Sequence, residues 1–262
     1  MKFKFKVTAL AVLSAAVLAG CNATSSKSLS SGATDLQVSA VTDVFKSVTV
    51  SDEELKSATL QLRQSEDKKM RVAPASNKYA QRLAKLTRKH LNEDGLKLNF
   101  KVYIDGEVNA DATPDGSIRF YSGLMDMMTD QEILGVIGHE IGHVKLGHSL
   151  AATRTAYLAS AGRKAAASSN SVGGALAASE MGAFGEKLLN SQFSQSQESA
   201  SDDYGLAFLK KNGYDPKGME SALRKLAKVS GGKQGAVDAM LSSHPDPGAR
   251  ADRIRDKLAS GG

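Results

Sequence analysis

A chain of 262 residues is long enough for one large domain or two small ones, and with 41% apolar and 24% charged residues its composition is that of a globular protein. The net charge of +6 falls to +3 once Lys2, Lys4 and Lys6 of the N-terminal segment are set aside; without Trp or a dense basic patch interleaved with aromatics, the chain does not read as a nucleic-acid binder. Cys21 is the only cysteine, which excludes an intramolecular disulfide, a thiolate metal site and two-thiol redox chemistry.

Residues 1–21, MKFKFKVTALAVLSAAVLAGC, have the layout of a secretory signal: three lysines, a short apolar run from Val7 to Val17, then small residues. Ending on Leu-Ala-Gly-Cys, the segment resembles a bacterial lipoprotein signal. That resemblance implies cleavage after residue 20 and a lipid on Cys21. Asn22, where an Asp would suggest inner-membrane retention, resembles lipoproteins sorted to the outer membrane. Residues 21–34 are rich in Ser and Thr and read as a lipidated cysteine on a flexible tether, leaving 35–262 as the folded domain.

Residues 35–47 predict a short helix. Ser51 with Glu54 forms a capping box for a second, with Leu55, Leu60 and Leu62 as its apolar positions. Arg71-Val72-Ala73-Pro74 breaks the chain before a third helix over 77–91. His90 falls in register with that helix's apolar stripe and reads as a packed or dipole-compensating histidine rather than a ligand. Residues 97–104 then alternate apolar and polar, as a half-buried strand does. Asp105-Gly106 reads as a hairpin turn; Val108–Ala110 and Ser117–Tyr121 read as two further strands turned by Pro114-Asp115-Gly116. A small antiparallel sheet leading into the next helix is therefore expected, whose edge either binds an extended peptide or is a purely structural meander.

Residues 129–149 follow. Thr129 and Glu132 make a capping box, Asp130 and Glu132 place negative charge in the first turn, and Ile133, Val136, Ile137 and Ile141 recur at helical spacing. Within this helix His139, Glu140 and His143 form His-Glu-x-x-His. Four residues are about 400° of rotation, so both imidazoles leave one face and can grip one Zn²⁺, with Glu140 in reach of water as general base. His148 lies nine residues past His139, about 900° on, and would point the opposite way on a continued helix. The metzincin pattern is excluded, because Leu146 and Ser149 stand where it needs Gly and His. The third ligand must come from elsewhere.

Residues 150–190 are rich in Ala, Ser and Gly, contain no membrane-spanning run, and read either as a mobile lid or as a surface insertion. A helix follows, with Tyr204, Leu206, Phe208 and Leu209 on it, stopped by Asn212-Gly213. Its Glu198 and Asp202 share one face. Such a pair is commonly a solvated face, but small Ser199, Ala200 and Ser201 would admit a second helix close by, and a His₂Glu zinc site needs a carboxylate from a second helix. Asp202 could then hold a ligand imidazole by its other nitrogen. Two last helices start at Asp215-Pro216 and Asp246-Pro247. Between them His244 could stabilise an oxyanion or approach the metal, and Arg250 could orient it or a carboxylate; alternatively both merely staple the C-terminal helix.

Taken together, His139-Glu140-x-x-His143, then Glu198-x-x-x-Asp202 beginning 55 residues after His143, resemble the zinc peptidase family of the prenyl-protein (CAAX) endopeptidases and bacterial HtpX. Asn109-Ala110 leading to Gly123-Leu124 resembles the family's edge-strand region, which implies Asn109 and Ala110 as the substrate edge strand, and Ser243-His244-Pro245 with Arg250 resembles its late His-Pro…Arg element, so the likeness spans about residues 75–258. The resemblance implies an α+β, mostly helical zincin-like metalloprotease domain with a small antiparallel sheet beside the active-site helix. It implies one Zn²⁺ per chain held by His139, His143 and Glu198, Glu140 as base, and Asp202 in support. It also implies misfolded or unassembled envelope proteins as substrates, cut on the periplasmic face of the outer membrane, with other periplasmic proteases or assembly factors as companions. HtpX and the prenyl-protein enzymes carry membrane spans that are not found after this signal, and no 34-residue repeat follows the domain. The competing expectation is a lipid-anchored chaperone or assembly factor that binds unfolded chains without cutting; the complete set of five residues weighs against it.

Overall fold

The computed structural model describes residues 50–167, 184, 188, 191–230 and 237–261. The leader, the tether, the helix expected over 35–47 and most of the suspected lid lie outside the described residues. Helix α1 (Asp52–Lys69) starts at the expected capping box: Ser51 accepts from the Glu54 N–H, and the Glu54 carboxylate accepts from the Ser51 N–H. Its buried stripe is Leu55, Thr59 and Arg63, spaced one turn apart; Leu60, expected in the core, is 41% exposed. After α2 (Lys78–Thr87), a 3₁₀ turn at Glu93–Gly95 leads to the strands. His90 is buried, with Nδ1 2.7 Å from Glu93 and Nε2 2.9 Å from the Tyr214 hydroxyl, the satisfied core histidine its position suggested.

The sheet comprises β1 (Asn99–Tyr103), β2 (Ala110–Ala112) and β3 (Ser117–Tyr121) in the order β1-β3-β2. Here the expectation of an antiparallel sheet needs correction. β2 and β3 form the antiparallel hairpin, turned at Pro114-Asp115-Gly116 as read, but β1 runs parallel to β3 from Asn99↔Ser117 to Tyr103↔Tyr121. Asp105-Gly106 makes no hairpin. The Asp105 carboxylate takes the Glu107 N–H at 2.9 Å, and its carbonyl accepts from the Gly123 N–H at 2.9 Å and from the Ser122 hydroxyl at 2.7 Å. These bonds pull the loop across the end of β3 to the far edge. Gly123 permits the crossing, since a Cβ there would lie 2.2 Å from the Gly106 carbonyl oxygen.

A short helix α3 (Ser122–Met127), not anticipated, feeds α4 (Asp130–Lys145). α4 begins with the Thr129–Glu132 capping box and is buried without a break from Glu132 to His143. β2 lies against it, as do α5 (His148–Ala167), α6 (Gln195–Lys211) and α7 (Lys217–Ser230). α6 packs on it most extensively. That closeness depends on small residues. A Cβ on Gly142 would sit 3.1 Å from the Ser201 Cα, and one on Gly138 would sit 3.0 Å from the Gly205 Cα. α8 (Asp238–Ser243), also unanticipated, and α9 (Pro247–Ala259) close the chain, with α9 laid on α7. Fold class is therefore as expected, mostly helical with a small sheet beside the central helix, the sheet being mixed.

Candidate metal centre

α4 carries His139 and His143 one turn apart, and their Nε2 atoms are 3.0 Å from each other. α6 opens with its own capping box, Ser194 with Gln197, which sets its first turn so that Glu198 points at α4. Glu198 Oε1 lies 3.2 Å from His143 Nε2, and Oε2 lies 3.6 Å from His139 Nε2. His244, just past α8, adds a third imidazole: its Nδ1 is 3.1 Å from Glu198 Oε1 and 3.4 Å from His139 Nε2. The four donor atoms all fall within 4.8 Å of one another, and all four residues are buried. Ligands about 2.1 Å from a tetrahedral ion stand about 3.4 Å apart, which matches these separations. Two or three imidazoles with one carboxylate, and no thiolate, is a donor set that suits zinc.

Behind the donors stands a second layer. Asp202 Oδ1 is 3.0 Å from His139 Nδ1, so the His139 proton belongs on Nδ1 and its Nε2 lone pair faces the centre. Arg250, from α9, donates to both Asp202 oxygens at 2.7 and 2.9 Å and also pairs with Glu198. It therefore orients two carboxylates, the second of the options the sequence left open. Burial would raise the Glu198 carboxyl, yet His244, His139 and His143 hold it well below the usual range. Asp202 behaves alike: burial opposes ionisation, and the bonds from His139 and Arg250 overcome it. Burial pushes His143 well down, leaving it neutral as a ligand must be.

Glu140 is 1% exposed, and its Oε1 has no hydrogen-bond partner. Burial pushes its pKa up, offset in part by His244, whose Nε2 is 3.9 Å away. A buried carboxylate oxygen left unsatisfied beside a cluster of metal donors is placed for a water molecule and its proton.

Asn109 and Ala110 are not among the clustered donors; they lie in the sheet, at β2, which packs on α4: Ala110 pairs with Phe120, and the Asn109 carbonyl accepts from the Tyr121 N–H. Cys21 is outside the described residues. Phe193 went unread, and His148 was read as facing away. Phe193 stacks on the His143 ring, centroids 3.8 Å apart, while its N–H bonds to the Ser243 carbonyl. His148 lies against His143, contrary to the expectation of opposite faces, because α4 ends at Lys145 instead of continuing. Gly147, a glycine just past a helix end, was the available signal.

Comparison with known proteins agrees with this geometry. Residues 74–258 match the model of peptidase family M48. The metalloprotease LoiP of Escherichia coli (strain K12) is 42% identical over 264 residues, covering the whole of this chain and 99% of that protein. The metalloprotease YcaL of the same organism is 39% identical over 249 residues and 95% of both chains. The beta-barrel assembly-enhancing protease of Yersinia pestis is 27% identical over 182 residues, 63% of this chain and 36% of that longer protein. All three relatives are named as proteases and the first two as metalloproteases, and the non-cutting alternative loses its ground. The chain belongs to peptidase family M48 and is a zinc metalloendopeptidase.

Proposed function

We propose that this endopeptidase is lipid-anchored through Cys21 to the periplasmic face of the outer membrane and cuts misfolded or unassembled envelope proteins. The observation that carries the catalytic part is one arrangement: four donor atoms within 4.8 Å of one another, with an unpartnered Glu140 oxygen beside them. His139, His143 and Glu198 would hold zinc. When bound, zinc supplies a Lewis acid that polarises the scissile carbonyl and lowers the pKa of water. Glu140 takes the proton of the attacking water through its free Oε1 and hands it to the leaving amine. Asp202 keeps the His139 proton on Nδ1, and Arg250 fixes Asp202 and Glu198 against drift.

His244 fills the place of a fourth donor. Catalytic zinc sites keep one position open, and closed four-ligand sites are structural. The arrangement therefore reads as a resting state, from which His244 withdraws when a peptide enters. The peptide would lie along the sheet edge at Asn109 and Ala110, where main-chain bonds accept any extended, unfolded segment. That tolerance suits substrates marked by lost structure, and one relative is named for enhancing β-barrel assembly. The leader supports the location. Among the described residues, no helix is long and apolar enough to cross a membrane.

The test is casein hydrolysis and zinc content of the detergent-solubilised full-length chain beside Glu140→Gln. Cleavage by the wild type, and a variant at least about 100-fold slower that still holds one zinc, is the expected result. A Glu140→Gln chain that cuts at the wild-type rate would remove Glu140 as base.

A further inference from the structure

α4 does not run on into α5. It stops at Lys145, Leu146 caps it, and Gly147 at φ +75° redirects the chain so that α5 begins at His148. On an unbroken helix His148, five residues after His143, would lie about 140° round from it. The break brings it back. His148 Nδ1 is 3.3 Å from His143 Nδ1, with the rings edge to face at 5.2 Å. Ser201 Oγ, fully buried on α6, is 3.1 Å from that same His148 nitrogen.

His143 turns its Nε2 toward Glu198 and His139. A ligand nitrogen needs its lone pair, so the proton of a neutral His143 sits on Nδ1. That N–H points at His148 Nδ1, which can accept only when its own proton is on Nε2. We propose that His148 is the positioning residue of His143: it accepts the Nδ1 proton, fixes the tautomer and holds the ring plane. The inference rests on His143 being a zinc ligand. The two ligand imidazoles of α4 are thereby held by different chemistry. His139 leans on the Asp202 carboxylate, whereas His143 leans on a neutral imidazole supplied by the very turn that ends its helix.

The experiment compares the zinc affinity of the full-length chain with that of His148→Leu and His148→Asn, by competition against a chromophoric chelator. Asn presents its amide oxygen near the place of Nδ1 and can accept the same proton; Leu cannot. Leu is expected to bind zinc about 10- to 100-fold more weakly, and Asn to recover most of that loss. Should Leu fail to fold, ¹⁵N NMR of the zinc-loaded wild type carries the test through the hydrogen-bond coupling between His143 Nδ1 and His148 Nδ1. Absence of that coupling, a Leu variant as tight as the wild type, or an Asn variant as weak as Leu each overturns the proposal. A wild-type chain that holds no zinc overturns the ligand reading of His143 and this inference with it, whereas tight zinc in both wild type and Leu overturns this inference alone.

Discussion

His244 Nδ1 is as near Glu198 and His139 as those donors are to one another, so on the proposed reading this one side chain closes or opens the centre. It stands just before Pro245, at the end of the short helix α8. If the open arrangement is a minor state, removing the fourth donor raises the competent fraction; His244→Ala should cut casein about tenfold faster or more, while binding zinc more weakly. A loss of about 100-fold with zinc retained would instead give His244 the oxyanion. At this scale the sequence was most informative where the chemistry repeats along one helix. His139, Glu140 and His143 were legible because four residues make nearly a full turn. Arg250 was only half legible, since its partners Asp202 and Glu198 lie on another helix and no spacing rule links the two.

The α4–α6 seam sets the distance between two ligands on one helix and one on the other. Gly142 faces backbone, the Ser201 Cα and carbonyl, so a side chain there cannot be accommodated by turning a rotamer. Gly142→Val should cost about 1–3 kcal/mol and loosen zinc as well, because Glu198 and Asp202 move away with α6. A lower melting temperature with unchanged zinc affinity would show that the seam does not set the ligand distances. The start of α4 carries a separate determinant. Burial would raise the Glu132 carboxyl, but Lys225 and Ser221 of α7 and the Thr129 N–H and hydroxyl bring it down to about 2 from 4.5. A carboxyl depressed by folding adds stability that is complete above pH 4.5 and is lost as pH falls through 2. Glu132→Gln should therefore lose about 2 kcal/mol at pH 7 and, in chelator so that zinc loss plays no part, show a flatter decline between those two pH values than the wild type. Urea midpoints across that range measure both, and identical acid slopes would take Glu132 out of the α4–α7 link. The capping boxes at Ser51 and Thr129 were readable because a cap is local. The seam was readable only as a hint in Ser199-Ala200-Ser201, since small residues say that something packs close but not what.

Across the whole molecule, what the sequence concealed is long-range. Period-two alternation announced β1 and β3, yet alternation is the same in parallel and antiparallel strands, so the direction of pairing was free until the Asp105 loop crossed to Gly123. His148 was hidden for the same reason, its direction depending on where α4 stops. The N-terminal segment poses the reverse case, a strong local signal at residues beyond the described fold. Its prediction concerns where the whole chain resides. An acyl chain contributes about 0.8 kcal/mol per buried CH₂, and stable anchoring needs more than one chain, which an N-terminal cysteine carrying two or more acyl chains would supply. With Cys21→Ala no such anchor forms, and among the described residues no helix replaces it. The wild type should sediment with membranes and resist high salt, and Cys21→Ala should appear in the soluble fraction with its casein activity intact. Both chains in the membrane fraction would mean that something other than Cys21 holds the enzyme there, and both in the soluble fraction would remove the anchor altogether. Retained activity in a released chain would also separate the two halves of the functional reading, since the residues of the metal centre all lie within 139–250.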